Sequence, residues 1–331
     1  MDNLIPYLNR IIDDINDISA WMHVEIFCLD EEGAASVIAT GPLLLNRGLQ
    51  PEAVLCLRGL VFLRSDESQP KALSALKEAV KINEAFTFAW YCLGELLSKN
   101  PLNHPKAEEA LKKAIYLDDY FPDPWNDLGV LLSNYPGRLE EAENAYLTAI
   151  ELDPDFAAPL NNLGSLLLKY PSRRFEAENL IRKALEIDNQ SAGIWSNFGF
   201  LLLSDFSRLS EAEEVFHKAL EINNKLARAW YGLGNVLAAI DESRFDEAEV
   251  AYLTSIRIDE QYAYSWNALG VLLSVYPSRR NEAEQAFKKA IEFDEGFVHP
   301  WYGLGDLLSQ DPARQDEAAA ALEKAADMEG G

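Results

Sequence analysis

Stacked helix-turn-helix repeats forming an all-α solenoid are the fold class this sequence predicts, and three periodic observations predict it. The first is a Leu-Gly pair or near equivalent at Arg58-Gly59, Leu93-Gly94, Leu128-Gly129, Leu163-Gly164, Phe198-Gly199, Leu233-Gly234, Leu269-Gly270 and Leu304-Gly305. These glycines are 35 residues apart, except for 36 between Gly234 and Gly270. The second is a large apolar anchor three residues before each pair, at Leu55, Trp90, Trp125, Leu160, Trp195, Trp230, Trp266 and Trp301. The third is a small residue seventeen positions after the anchor, at Ala72, Ala107, Ala142, Ala177, Ala212, Ala283 and Ala318, with Ala248 one position late.

Each unit then reads as two helices joined by a turn. Four residues beyond that alanine comes a bulky apolar side chain, such as Tyr146 or Phe216, and three further on another Ala, or Ser at Ser255, which are helical offsets. Glycine on one helix and alanine on the other let the axes approach, and the anchor fills the space beside them. Asn134 to Arg138 is such a turn, ahead of a second helix from Glu140 to Leu152. Pro101, Pro136, Pro171, Pro277 and Pro312 stop the first helix where the turn must begin.

In chain order, residues 1–51 break the period. Trp21 to Leu29 and Ala34 to Asn46 read as a degenerate helix pair after a short helix, a cap that shields the first repeat from water. Eight repeats follow at about 52–86, 87–121, 122–156, 157–191, 192–226, 227–262, 263–297 and 298–331. The last helix, Asp316 to Met328, has no solvating helix after it. Its alanines are expected to be harmless in water, with a shortened chain or docking on another copy as the alternatives.

Composition narrows the partners. Hydrophobic residues at 48% and charged ones at 25% exclude a disordered chain. The formal charge of −25 repels phosphate backbones and anionic membranes, so no direct nucleic-acid or membrane partner is expected. The N-terminus lacks the basic start and apolar core of a secretory signal, and a cytoplasmic location is the expectation. Glutamates flank the first alanine of the second helices from Ala107 onward, where they favour the macrodipole. A recurrent turn arginine, at Arg138, Arg173, Arg208, Arg244, Arg279 and Arg314, could bond carbonyls ending the first helix or a carboxylate of the adjoining unit.

Chemistry-bearing constellations are missing from the sequence. It has no phosphate-binding glycine loop, no H-E-x-x-H, no C-x-x-C and no G-x-S-x-G, so no enzyme, cofactor or metal site is expected. Cys28, Cys56 and Cys92 lack metal-ligand spacing and read as reduced thiols.

The beat resembles the tetratricopeptide repeat, W-x2-L-G-x2-Y followed by A-x3-F, over residues 52–331. It departs from that pattern in its 35-residue period, in Leu at most of the tyrosine positions, and in keeping the late proline only at Pro154. The resemblance implies a right-handed superhelix whose first helices line a concave groove. Positions two before and one, two and five after the anchor then face a partner.

Those positions give the candidate binding residues. Asn126, Asn161, Asn162, Asn197, Asn235 and Asn267 are amides able to donate and accept, which suits an extended peptide backbone. Tyr91, Phe200, Tyr231, Tyr264 and Tyr302 are aromatic contacts, and Asp127, Arg228 and His299 complete the set. Some family members grip peptides with asparagine ladders. Others clamp a C-terminal carboxylate with lysine, asparagine and arginine across adjacent repeats, for which Arg228 alone is not enough. The expected function is a non-enzymatic scaffold or adaptor holding a protein or peptide segment in the groove. The alternatives are an acidic regulator covering a basic partner surface and a sensory arm of a larger enzyme.

Overall fold

The computed structural model describes residues 5–28, 45, 48–62 and 68–330. Every regular element among them is a helix or a single 3₁₀ turn. The chain divides into two compact units between Leu166 and Leu167.

The first unit opens with α1 (Ile5–Asp13) and α2 (Ile18–Cys28), then pairs α3 (Pro51–Phe62) with α4 (Gln69–Ile82), α5 (Thr87–Ser98) with α6 (His104–Leu117), and α7 (Pro122–Ser133) with α8 (Leu139–Leu152). The division falls inside α9 (Ala157–Leu167). The second unit begins with α10 (Arg174–Ile187) and pairs α11 (Ala192–Leu203) with α12 (Leu209–Ile222), α13 (Ala227–Ile240) with α14 (Phe245–Ile258), α15 (Ala263–Ser274) with α16 (Arg280–Phe293), and α17 (Val298–Ser309) with α18 (Gln315–Gly330). Within each unit every pair packs along its length, and first helices also touch the first helices of neighbouring pairs.

Side-chain volume sets the spacing inside a pair. A Cβ built on Gly129 would lie 2.6 Å from the Tyr146 ring, and one on Gly234 would lie 2.5 Å from the Tyr252 ring. First helices are covered on several sides, so α11 is apolar almost throughout, whereas α8 buries only Ala142, Ala145, Tyr146 and Ala149 along one stripe. The extra residue after Gly234 lengthens α13 to 14 residues, against 12 for α11 and α15.

The tryptophan anchors also act as caps. Each indole Nε1 donates to the carbonyl six residues back, in the turn entering the helix, at 2.8–3.3 Å: Trp90 to Glu84, Trp125 to Asp119, Trp195 to Asn189, Trp230 to Asn224, Trp266 to Glu260 and Trp301 to Glu295. An aliphatic anchor fills the space but cannot make this bond. The turn is fixed further by Asp118, Asp153, Asp188, Asp259 and Asp294, each accepting the backbone N–H two residues on.

The first segment reproduces part of this pattern. Trp21 donates to the Ile15 carbonyl at 2.7 Å, so α2 carries an anchor in the repeat's own register. The helix expected over Trp21 to Leu29 is α2, which starts earlier at Ile18, and α1 is the short helix before it. The helix expected over Ala34 to Asn46 falls almost wholly outside the described residues. At the other end α18 continues to Gly330, with Ala319 and Ala320 exposed.

Candidate functional site

The first-helix face of the first unit is closed at one end and amide-rich at the other. Helix α2 packs on α3 and α5, and Trp21, fully buried, sits 5.3 Å from the Phe86 ring and 5.2 Å from Phe88, stacked on the latter. Asn16, in the loop before α2, accepts the Thr87 N–H at 3.1 Å and caps α5. Tyr91, expected on an open groove, is instead buried, packed between the Phe88 and Phe121 rings.

Beyond it the asparagines bond one another. Asn161 donates to Asn162 at 3.3 Å, Asn162 to Asn126 at 3.0 Å, and Asn126 to Asp127 at 3.1 Å. Asn126, expected to meet a peptide, is buried with both sides of its amide engaged in this chain. The amides are close-packed neighbours, so they satisfy each other before any ligand arrives. Burial raises the Asp127 carboxyl to about 7, with Glu95 and Asp123 adding repulsion. Burial likewise lifts Asp123 to about 6.

The corresponding face of the second unit is a run of rings. Phe200 packs edge-on against Phe216 at 5.1 Å and beside Tyr231 at 6.0 Å. Tyr231 meets Tyr262 at 5.7 Å and Tyr264 at 6.1 Å, Tyr264 meets Phe297 at 4.7 Å, and Phe297 meets His299 at 5.4 Å. Tyr264 is 45% exposed, and Arg228 and His299 are exposed too. Burial pushes the Tyr262 hydroxyl up to about 12 and raises that of Tyr231, so both stay protonated donors at neutral pH.

Arg228 lies over the Phe200 ring, 4.5 Å from its centroid, and donates to Asn197 Oδ1. Desolvation holds its pKa below the ordinary guanidinium value. Asn235 accepts from the Tyr252 hydroxyl at 2.8 Å, and Asn267 is half-buried with an Oδ1 that accepts no hydrogen bond. Tyr302 is tied to Glu329 at 2.9 Å. Thus Phe200, Arg228, Tyr231, Tyr264 and His299 come together, whereas Asn235 and Tyr302 bond to their own repeats.

Sequence reasoning missed Tyr262 and Phe297. Both stand four residues before an anchor, where Phe86, Phe121 and Phe156 also stand, and that recurrence was the available signal.

The charge on the second helices is internally matched. Five of the six turn arginines hold the glutamate three residues on and one from the preceding repeat, and Arg173 also holds Glu176: Arg138 pairs with Glu108, Arg208 with Glu178, Arg244 with Glu213, Arg279 with Glu249 and Arg314 with Glu284, at 2.5–3.0 Å across repeats. Of the two expected partners, these arginines take the carboxylate. The carbonyls ending a first helix, at Leu201 and Ser204, go to Arg174. Arg138 holds Glu108 at about 2, and Arg314 holds Glu284 at about 2.

Two clefts in the second unit, of about 490 and 390 Å³, lie along this ladder, one at Trp266 and Arg279 and the other at Trp230 and Arg244. They occupy the same register in successive repeats, so they follow from repeat packing and do not distinguish one repeat as a site. No group of histidine, cysteine and acidic side chains able to hold a metal occurs among the described residues. Cys56 and Cys92 are both buried. No helix among the described residues is long and apolar enough to cross a membrane.

A family model described as a TPR repeat matches residues 136–169. Among solved structures, yeast Tom70 aligns with a TM-score of 0.57 and 19% identity, covering 84% of this chain and 61% of that one. Pseudomonas aeruginosa PilF aligns at 0.54 and 21% identity, covering 69% and 99%. The Cut9-Hcn1 assembly of the APC/C aligns at 0.63 and 15% identity, covering 82% and 55%. These likenesses carry the fold, and the chain spans about three-fifths of the Tom70 length. No curated protein matches the sequence.

Proposed function

We propose that this chain, which has the fold of tetratricopeptide-repeat solenoids and a TPR match at residues 136–169, is a non-catalytic scaffold whose second unit holds a partner segment on its first-helix face. The observation that carries this is the ring run from Tyr231 through Tyr264 to His299, left open to water at Tyr264 and His299. Large aromatic side chains lose little conformational freedom on binding and offer wide contact area, so an exposed line of them suits an anchor site. In the first unit the rings at the aligned positions, Phe86, Phe88, Tyr91 and Phe121, are buried, so the ring run that reaches water belongs to the second unit.

Affinity capture with mass spectrometry tests the reading by comparing the wild type with a Tyr264→Ala and His299→Ala double variant. The partner is expected to be lost from the variant and retained in moderate salt. A partner retained by the variant but stripped by salt would favour the alternative, an acidic regulator covering a basic surface, for which the charge of −25 speaks.

A further inference from the structure

We propose that this face takes a peptide in which an aromatic side chain lies next to a carboxylate, the ring seated by Tyr264, Phe297 and His299 and the carboxylate held by Arg228. This rests on the scaffold reading and names the ligand class of the same site.

The chain itself supplies the precedent for the ring. In the first unit Trp21 is held by Phe86 and Phe88, which stand four and two residues before the anchor Trp90. The same two register positions hold Tyr262 and Tyr264 before Trp266, and Phe297 and His299 before Trp301, with ring centroids 5.4 Å apart in both pairs. Phe86 and Phe88 are fully buried beneath the segment that carries Trp21. Tyr264 and His299 are exposed, and among the described residues no ring from outside the run stacks on them. The repeat therefore shows, in its own occupied copy, what sits on this pair of positions: a flat apolar ring.

The carboxylate follows from charge. Arg228 is again two residues before its anchor, and the ring run begins beside it through Phe200 and Tyr231. Where turn arginines such as Arg208 and Arg279 are ion-paired, each holds two glutamates. No ion pair to Arg228 occurs among the described residues, and it donates to the neutral Asn197 Oδ1. A guanidinium carries five N–H donors in a fork that matches a carboxylate, so this one retains donor capacity for a ligand. A basic peptide gains nothing at Arg228, which discriminates against it at this face.

A random dodecapeptide library displayed on phage, panned on the full chain, tests this directly. The expected consensus places Trp, Tyr or Phe within a residue or two of Asp or Glu. The leading synthetic peptide should bind roughly ten-fold more weakly to Arg228→Gln, and equally so when its own acid is amidated, with no further loss on combining the two. Tyr264→Ala should weaken it and Tyr264→Phe should restore it, while circular dichroism reports an unchanged fold for each variant.

Consensus peptides lacking an acid, or binding unmoved by Arg228→Gln, would overturn the assignment. Peptides that depend instead on Asn161 and Asn162 would overturn it while leaving the scaffold reading in place, and absence of any enriched peptide would count against both. Sedimentation of the chain alone covers a further occupant: dimers abolished by Arg228→Gln would make a second copy the ligand and overturn the separate peptide.

Discussion

The first-helix faces of the two units are built on one register and differ in what fills it. In the first unit, Phe86 and Phe88 are covered by Trp21, and Asn126, Asn161, Asn162 and Asp127 form an internal hydrogen-bond chain. In the second, the equivalent stretch carries Arg228, Tyr231, Tyr264 and His299, with Tyr264 and His299 facing water. A position that faces a groove by register is therefore available only where the chain leaves it unpaired. The same repeat can use its variable positions for internal contacts in one unit and leave them exposed in the other.

Removing the covering ring should produce the largest change. Trp21→Ala deletes a fully buried indole and is expected to cost about 3–5 kcal/mol of local stability. Native-state hydrogen exchange should show that loss in α2, α3 and α5 with little change in the second unit, as expected where repeats contact chiefly their neighbours. Loss spread equally over both units would break the comparison.

Next come the glycines common to both units. Gly129→Val and Gly234→Val force branched carbons into Tyr146 and Tyr252, and each should destabilise by about 1–3 kcal/mol as read by thermal melting. Equal effects would show that the scaffold is shared and only the face differs.

Two sets of carboxylates sharpen the contrast through pH, with opposite signs. Asp123 and Asp127 are raised in the folded state to about 6 and about 7, so they cost nothing below their unfolded value of 3.8 and destabilise as pH rises toward 7. Asp127→Asn should therefore stabilise the first unit at pH 8, by on the order of 1 kcal/mol, and leave it unchanged near pH 3. Glu108 and Glu284 are depressed to about 2, so their contribution is complete above 4.5 and is lost as pH falls toward 2. Arg314→Ala should remove most of that acid sensitivity at the last ladder rung and lower the melting temperature near neutral pH only slightly.

The smallest stability effect belongs to the candidate site. Tyr264→Ala removes an exposed ring and should change stability by about 0.5 kcal/mol or less while reducing partner capture. If it unfolded the second unit, the ring run would be a structural core.

The architecture was legible in the sequence to a useful depth. The eight anchors, the paired glycines and the alanines of the second helices specify volumes at fixed helical offsets, and helix packing depends on volume at offsets. The turn arginines were visible as a period. Their partners were not, because Arg208 and Glu178 lie 30 residues apart and meet only when one repeat stacks on the next.

The site was legible in part for the same reason. Register placed Phe200, Arg228, Tyr231, Tyr264 and His299 on one face, since each sits at a fixed offset from its anchor. It could not reveal that Tyr91 is buried between Phe88 and Phe121, that Asn126 is engaged by Asn162 and Asp127, or that Tyr262 and Phe297 complete the ring run. Local periodicity determined which side chains point the same way. Which of them remain open to a partner was decided by contacts between segments far apart in the chain, and those exist only in the folded molecule.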